Sequence, residues 1–186
     1  MKKIVAIFGA LSTVLFLAHL IVACIYYLGL MPYSFIHMTI GGVLSITMSI
    51  HMVFALALMV KNRQRDKKAK QYPQLNMSLV LQSASGIFTG IFLLFHILVI
   101  ELDKAQTFQG TLFSILYVAV EFGFVLIVGL HMAVSVPKHF ISMGAVKKRE
   151  NYPKLMRRTH IVLGLILAVY MVSQIVFWTG HPVAAG

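Results

Sequence analysis

Five stretches of this chain run for twenty or more residues with almost no charge: Ile4 to Leu30, Phe35 to Val60, Asn76 to Ile100, Thr111 to Val136 and Thr159 to Trp178. Crossing a hydrocarbon core takes roughly 20 helical residues. Lipid offers no partner to a backbone N–H or C=O, so a spanning segment must close its own hydrogen bonds, which a helix does. The composition agrees: 59% of the 186 residues are hydrophobic and the mean hydropathy is +0.87, more apolar than a soluble domain tolerates. The expectation is an all-α membrane protein, one domain over residues 1–186, with five transmembrane helices. No soluble domain, low-complexity tract or internal repeat is evident in the sequence.

Charge orients the helices. Lys and Arg in short loops stay on the cytoplasmic side. With the N-terminus inside, the cytoplasmic pieces are MKK, KNRQRDKKAKQYPQ and PKHFISMGAVKKRENYPKLMRR, which hold all of the 16 Lys and Arg residues except Lys104. The chain is therefore expected in the cytoplasmic (inner) membrane, N-terminus in and C-terminus out. The net charge of +11 becomes a one-sided basic face. Such a face contacts anionic lipid and leaves room for a cytoplasmic protein to dock. The basic loops are short and have no fold of their own, which argues against nucleic acid.

The start, MKK followed by an apolar run ending at Cys24, has the outline of a lipoprotein signal. A cleavable apolar core spans about 7 to 15 residues and gives way to polar sequence. Here the run is longer and IYYLGLMPY follows, so the segment is expected to stay as a helix. Cys24 is the single cysteine and supports no disulfide within the chain.

Helices one to four each carry one histidine in an apolar run: His19, His51, His96 and His131. At 1.5 Å per residue, His51 and His131 lie roughly 10 to 15 Å from the cytoplasmic ends of their helices. His19 and His96, on helices running the other way, fall in the outer half. Depth alone gives two pairs, one joining helices one and three and one joining helices two and four. Two facing imidazoles inside an apolar four-helix bundle meet the demand of bis-histidine haem b, one ring nitrogen to each axial position of the iron. Zinc fits less well, because it takes three or four close ligands and no HExxH or CxxC spacing occurs.

A porphyrin also needs space between helices. At the inner level the helices that do not ligate present Gly9, Gly86 and Gly90; at the outer level they present Gly41, Gly42 and Gly123. Gly129 stands outside this alternation. Lys138, His139, Arg157 and Arg158 at the inner edge are candidates for the inner propionates. His37 at the start of helix two and His160 at the start of helix five are expected to be solvated or hydrogen-bonded at the interfaces. Tyr26, Tyr27, Tyr33, Tyr170 and Trp178 suit interfacial anchoring or packing. Glu101 and Asp103 close helix three at the outer side, within reach of a quinone. Glu121 lies about ten residues inside helix four, where an ionisable group is costly and points to function. Glu101 and Glu121 are the candidate proton relay.

In SIHMVFALALMVKNRQ through LVLQSASGIFTGIFLLFHILV, in GLHMAVSVPKHFISMG and in LFLAHLIV, the chain resembles the dihaem cytochrome b membrane anchor of succinate dehydrogenases and fumarate reductases, the single-polypeptide five-helix kind. That family's ligand histidines match His19 with His96 for the outer haem and His51 with His131 for the inner. The resemblance implies two haems b, a membrane quinone, typically menaquinone, and a cytoplasmic flavoprotein with an iron-sulfur subunit that handles succinate or fumarate. The family commonly has Gln-Arg where this chain has Gln82-Ser83, and GLMPYS lacks the outer carboxylate of some members. Three other readings stay open: the same cytochrome serving another dehydrogenase or a flavin reductase, a haem-free proton-coupled transporter, and a haem-free helical scaffold.

Overall fold

The computed structural model describes residues 1–63, 73–104, 111–142 and 149–180. Part of the basic loops expected on the cytoplasmic side, 64–72 and 143–148, lies outside the described residues. The order is α1 (Lys2–Tyr27), α2 (Phe35–Arg63), α3 (Pro73–Lys104), α4 (Thr111–Ser142), a short 3-10 turn (Arg149–Asn151) and α5 (Tyr152–Gly180). All five α-helices are long and apolar enough to cross a membrane, so this is a multi-pass helical membrane protein.

The helix ends depart from the apolar runs, each for a local reason. α1 stops at Tyr27 because Gly29 takes a positive φ of 71°. The Gly29 N–H then bonds to the Tyr26 carbonyl and the Leu30 N–H to the Ile25 carbonyl, at 2.9 and 3.0 Å. That is a Schellman closure, and a side chain at Gly29 would strain it. α5 begins seven residues before its apolar run, with Pro153 in its first turn, where a missing N–H costs nothing. Apolarity marks the span inside lipid, whereas the helix goes on into the polar zone.

α4 was expected to stop at Val136 and instead runs through the buried Pro137 to Ser142. Proline has no N–H for the carbonyl four residues back, here Ala133. That carbonyl accepts a bond from His160 Nε2 of α5 at 3.1 Å. The neighbouring helix thus satisfies the group that proline leaves free, the condition for a proline inside a membrane helix. His160, expected to be solvated or hydrogen-bonded at the interface, is exposed and has this structural partner.

α1 packs along α2, and α3 along α4, as two antiparallel hairpins. α5 packs on α4 and α1 and joins the hairpins on one side. Between the hairpins themselves, α2 with α3 and α1 with α4, close approaches are few. The shared core is Phe16 and Leu20 of α1, Leu44 of α2, Leu93 of α3, Phe124, Val125 and Val128 of α4, and Leu163 and Tyr170 of α5. Large apolar side chains such as Val14, Val53, Leu94, Leu126 and Leu165 are exposed outward, the expected surface for lipid.

Replacing His160 with Ala should lower stability in detergent by about 1 kcal/mol, the worth of one hydrogen bond to a partly wet carbonyl. In a Pro137→Ala background, where α4 regains its own N–H, the same change should be nearly neutral. Thermal unfolding followed by circular dichroism of the four variants measures the coupling; equal losses in both backgrounds would refute the account.

Candidate cofactor site between two helical hairpins

Within the first hairpin each histidine is received by a glycine. A Cβ added at Gly9 would stand 2.9 Å from His51 Cε1, and one at Gly41 would stand 3.2 Å from His19 Cε1. Glycine and histidine are ten residues apart on both helices, so one antiparallel register makes both contacts. His51 Nδ1 donates to the Val5 carbonyl at 3.0 Å, one turn before Gly9. His19 is partly buried, and its Nδ1 is buried without a partner.

The second hairpin repeats the register with one exchange. Gly86 lies under His131, where an added Cβ would meet Cε1 at 3.1 Å. Ten residues further along α3 and back along α4, His96 meets a carboxyl group where the pattern has glycine: its Nδ1 stands 2.5 Å from Glu121 Oε1. Glu121 is only 2% exposed, and His96 also stacks on Phe124 with centroids 4.9 Å apart. Gly-x9-His therefore recurs in α1, α2 and α3, and Glu-x9-His in α4. With two positions recurring over eleven residues, the pattern is invisible until the helices are aligned.

A hydrogen-bonded chain reaches His131 from the basic end. Lys138 Nζ donates to Gln82 Oε1 at 2.9 Å, Gln82 Nε2 to Ser135 Oγ at 3.2 Å, and Ser135 Oγ makes a long 3.4 Å contact with His131 Nε2. On the other side of the ring, His131 Nδ1 lies 3.1 Å from Ser85 Oγ, which donates to the Gln82 carbonyl. Lys138 thus places an ammonium beside Gln82, the residue followed here by serine.

The four rings form two pairs across the gap between hairpins: His19 is within electrostatic range of His96, and His131 within range of His51. Among the described residues no three His, Cys, Asp or Glu side chains converge as a metal cluster. The arrangement suits a bis-imidazole centre. Three rings set Nδ1 against an acceptor, which favours the tautomer with the lone pair on Nε2, the nitrogen that could coordinate; in His131 that nitrogen also meets Ser135 Oγ. Three glycines let the rings lie close against the partner helix, and close approaches between the two hairpins are fewer than within each of them. The donor set, two pairs of imidazoles with no carboxylate or thiolate cluster among the described residues, is the kind that a bis-imidazole cofactor would use.

Other candidates fall elsewhere. Gly42, next to Gly41 and so about 100° round the helix, is exposed and meets nothing within 4 Å. Gly90 receives Met52 of α2, Gly123 the Phe92 ring of α3, and Gly129 Leu167 of α5, all as close helix packing. Arg157 and Arg158 are exposed on α5, and no hydrogen bond of His51 or His131 involves them. Glu101 and Asp103 are exposed at the end of α3.

Two features were missed in the sequence. His37 is only 4% exposed: the turn after α1 folds Tyr33 onto its ring at 5.1 Å, and Tyr26 meets it edge-on at 5.6 Å. On α5, Ser173 and Gln174 are buried at 1% and 0% exposure, and Gln174 Nε2 donates to the hydroxyls of Tyr170 at 3.0 Å and Tyr27 at 3.3 Å. Both tyrosines lie within electrostatic range of Glu121. Tyr27 and Tyr170 are thus parts of an internal polar cluster, and the hint available beforehand was a glutamine in the last third of an apolar helix.

Comparison with protein-family models, with curated proteins and with solved structures gives no match.

Gly9→Ala should push the His51 ring off the Val5 carbonyl and cost about 1 to 3 kcal/mol, the usual range for overpacking. Gly42→Ala, in open space, should cost nothing measurable. Chemical denaturation in mixed micelles compares them, and equal stabilities would remove the special role of the Gly9 contact.

Proposed function

We propose that this chain is a dihaem cytochrome b that anchors a cytoplasmic succinate dehydrogenase or fumarate reductase and carries electrons between it and a membrane quinone, menaquinone by resemblance. The observation that carries this reading is the placement of four histidines as two pairs across the gap between two hairpins, with glycine beside three of the rings. His19 with His96 would hold the outer haem and His51 with His131 the inner one. When bound, haem supplies reversible one-electron exchange at an iron whose potential depends on its imidazoles and their hydrogen bonds.

The chain's own residues set that environment. Val5, Ser85 and Glu121 orient three imidazoles through Nδ1. The apolar walls, Phe16, Leu93 and Phe124 among them, exclude water. Lys138 and Gln82 put a cation and an amide at the inner level, suited to a propionate. A quinol releases two protons along with its two electrons; Glu101 and Asp103, exposed at the end of α3, would be acceptors for them on the outer side. Glu121, bonded to His96, acts in this reading first as the partner that positions and tunes that imidazole. Dicarboxylate chemistry would belong to the flavoprotein and iron-sulfur subunits, which the basic face at Lys61, Lys154, Arg157 and Arg158 would receive with the N-terminus cytoplasmic.

A haem-free proton-coupled transporter is the alternative, favoured by the buried His96–Glu121 pair. A pyridine haemochrome assay on the purified chain separates the two: about two haems b per polypeptide supports the cytochrome, and none after expression with haem supply supports the transporter. His51→Ala should remove about one haem and disturb the inner spectrum preferentially; undiminished haem content would sink the ligand assignment. Glu121→Gln should raise the outer haem's midpoint potential, because a carboxamide makes the imidazole a weaker donor to ferric iron. A redox titration with both midpoints unmoved would exclude that tuning role.

A further inference from the structure

The four histidines are only partly buried, so each keeps some of its surface uncovered. Along the bundle axis, however, side chains stand in the way at both ends. At the basic end Lys138, Gln82 and Ser135 form the hydrogen-bonded chain beside His131. At the opposite end His37 stands edge-on to His19 with ring centroids 6.3 Å apart, and Tyr33 stacks on His37. A macrocycle wider than any side chain has to arrive from the side.

Two seams run lengthwise between the hairpins, and they differ. Along α1 and α4 lies α5, which packs on both. Its hydrogen bonds tie that side: Gln174 Nε2 donates to the Tyr27 hydroxyl of α1, and His160 Nε2 to the Ala133 carbonyl of α4. Leu167 of α5 also sits on Gly129 of α4. Along α2 and α3, close approaches are far fewer than within either hairpin, and among the described residues α5 reaches neither helix. The tight contact on this side is apolar: Met52 of α2 lays its Sδ against Gly90 of α3, where an added Cβ would overlap it.

Met52 follows His51 directly, and Gly90 stands about one turn beyond Gly86, which receives His131. The contact therefore closes the seam beside the inner histidine pair. A methionine is unbranched, with three rotatable bonds, and glycine gives it no side chain to interlock with, so the two part when one side chain rotates. Val53 and Ile91, the next residue on each helix, are exposed and apolar, a surface suited to a ligand dissolved in lipid.

We propose that the seam between α2 and α3 is the lateral entrance by which haem passes between the bilayer and the histidine pairs, and that Met52 on Gly90 is its latch. The inference rests on the cytochrome reading and adds a route to it: the cofactor enters and leaves on the side that α5 does not cover.

The test is haem transfer from the full-length, haem-loaded chain in lipid nanodiscs to excess apomyoglobin, followed at the Soret band. Leaving retraces entry, so a fastened seam slows both. Two cysteine pairs are compared in a Cys24→Ser background: Met52→Cys with Gly90→Cys across the uncovered seam, and Gly129→Cys with Leu167→Cys between α4 and α5. Oxidising the first pair after haem loading should slow transfer on the order of tenfold or more, because the bridge abolishes the local opening, and reduction should restore the rate. Oxidising the second pair should change nothing. Equal rates for the oxidised and reduced first pair overturn the entrance, and so does equal slowing by both pairs, which reports general stiffening. If the first pair does not fold or does not bridge, Met52→Ala decides. Transfer several-fold faster with both midpoints unmoved supports the latch; an unchanged rate, or one that rises together with a shifted inner midpoint, overturns it. A wild-type chain that holds no haem removes the cytochrome reading and the entrance with it, whereas equal rates in a haem-loaded chain remove the entrance alone.

Discussion

A histidine ring placed in hydrocarbon has no water to meet its nitrogens and no gap waiting for its width, so a neighbouring helix must provide both. In α1, α2 and α3 the width comes from a glycine ten residues from that helix's own histidine, facing the histidine of the hairpin partner. The nitrogen is met by a carbonyl for His51, a hydroxyl for His131 and a carboxyl for His96. One register per hairpin does all of this. A slip of a single residue would rotate each glycine about 100° away from the ring it receives, so the histidines set the packing of the hairpins as much as the packing sets the histidines.

The exception in α4 follows from the same geometry. Glu121 holds the position of a receiving glycine, and there His96 Nδ1 meets the carboxyl group in a hydrogen bond. The carboxyl group then neighbours the tyrosines and glutamine that α1 and α5 contribute. The two hairpins are alike at the basic end, where both pairs are glycine and histidine. They differ at the opposite end, where one keeps glycine and the other has an acid. The asymmetry between the two levels thus reduces to one residue and the polar cluster around it.

Much of this was legible in the chain. Helix number follows from apolar length, and the two levels of histidine follow from a fixed rise per residue, because neither depends on which way a helix faces. Rotation was not legible. These helices are apolar on every side, so no stripe announces that Gly41 faces His19 while Gly42 faces outward, or that Gln174 points into the bundle. The burial of His37 depends on a turn closed by Gly29, which brings Tyr33 over a ring that sequence alone leaves at the interface. Helix ends escaped for a related reason: the bond that lets α4 pass Pro137 comes from His160, twenty-seven residues away on α5.

That last bond ties the end of α4 sideways. Beyond Pro137, the turn carrying Lys138 and His139 hangs from a carbonyl held by the first turns of α5, the same turns that display Arg157 and Arg158. A load applied to the basic face is therefore shared by two helices, and one of them leads straight back to His131. The helix that bears His131 and the helix that borders the bundle form a single mechanical strut at the basic end.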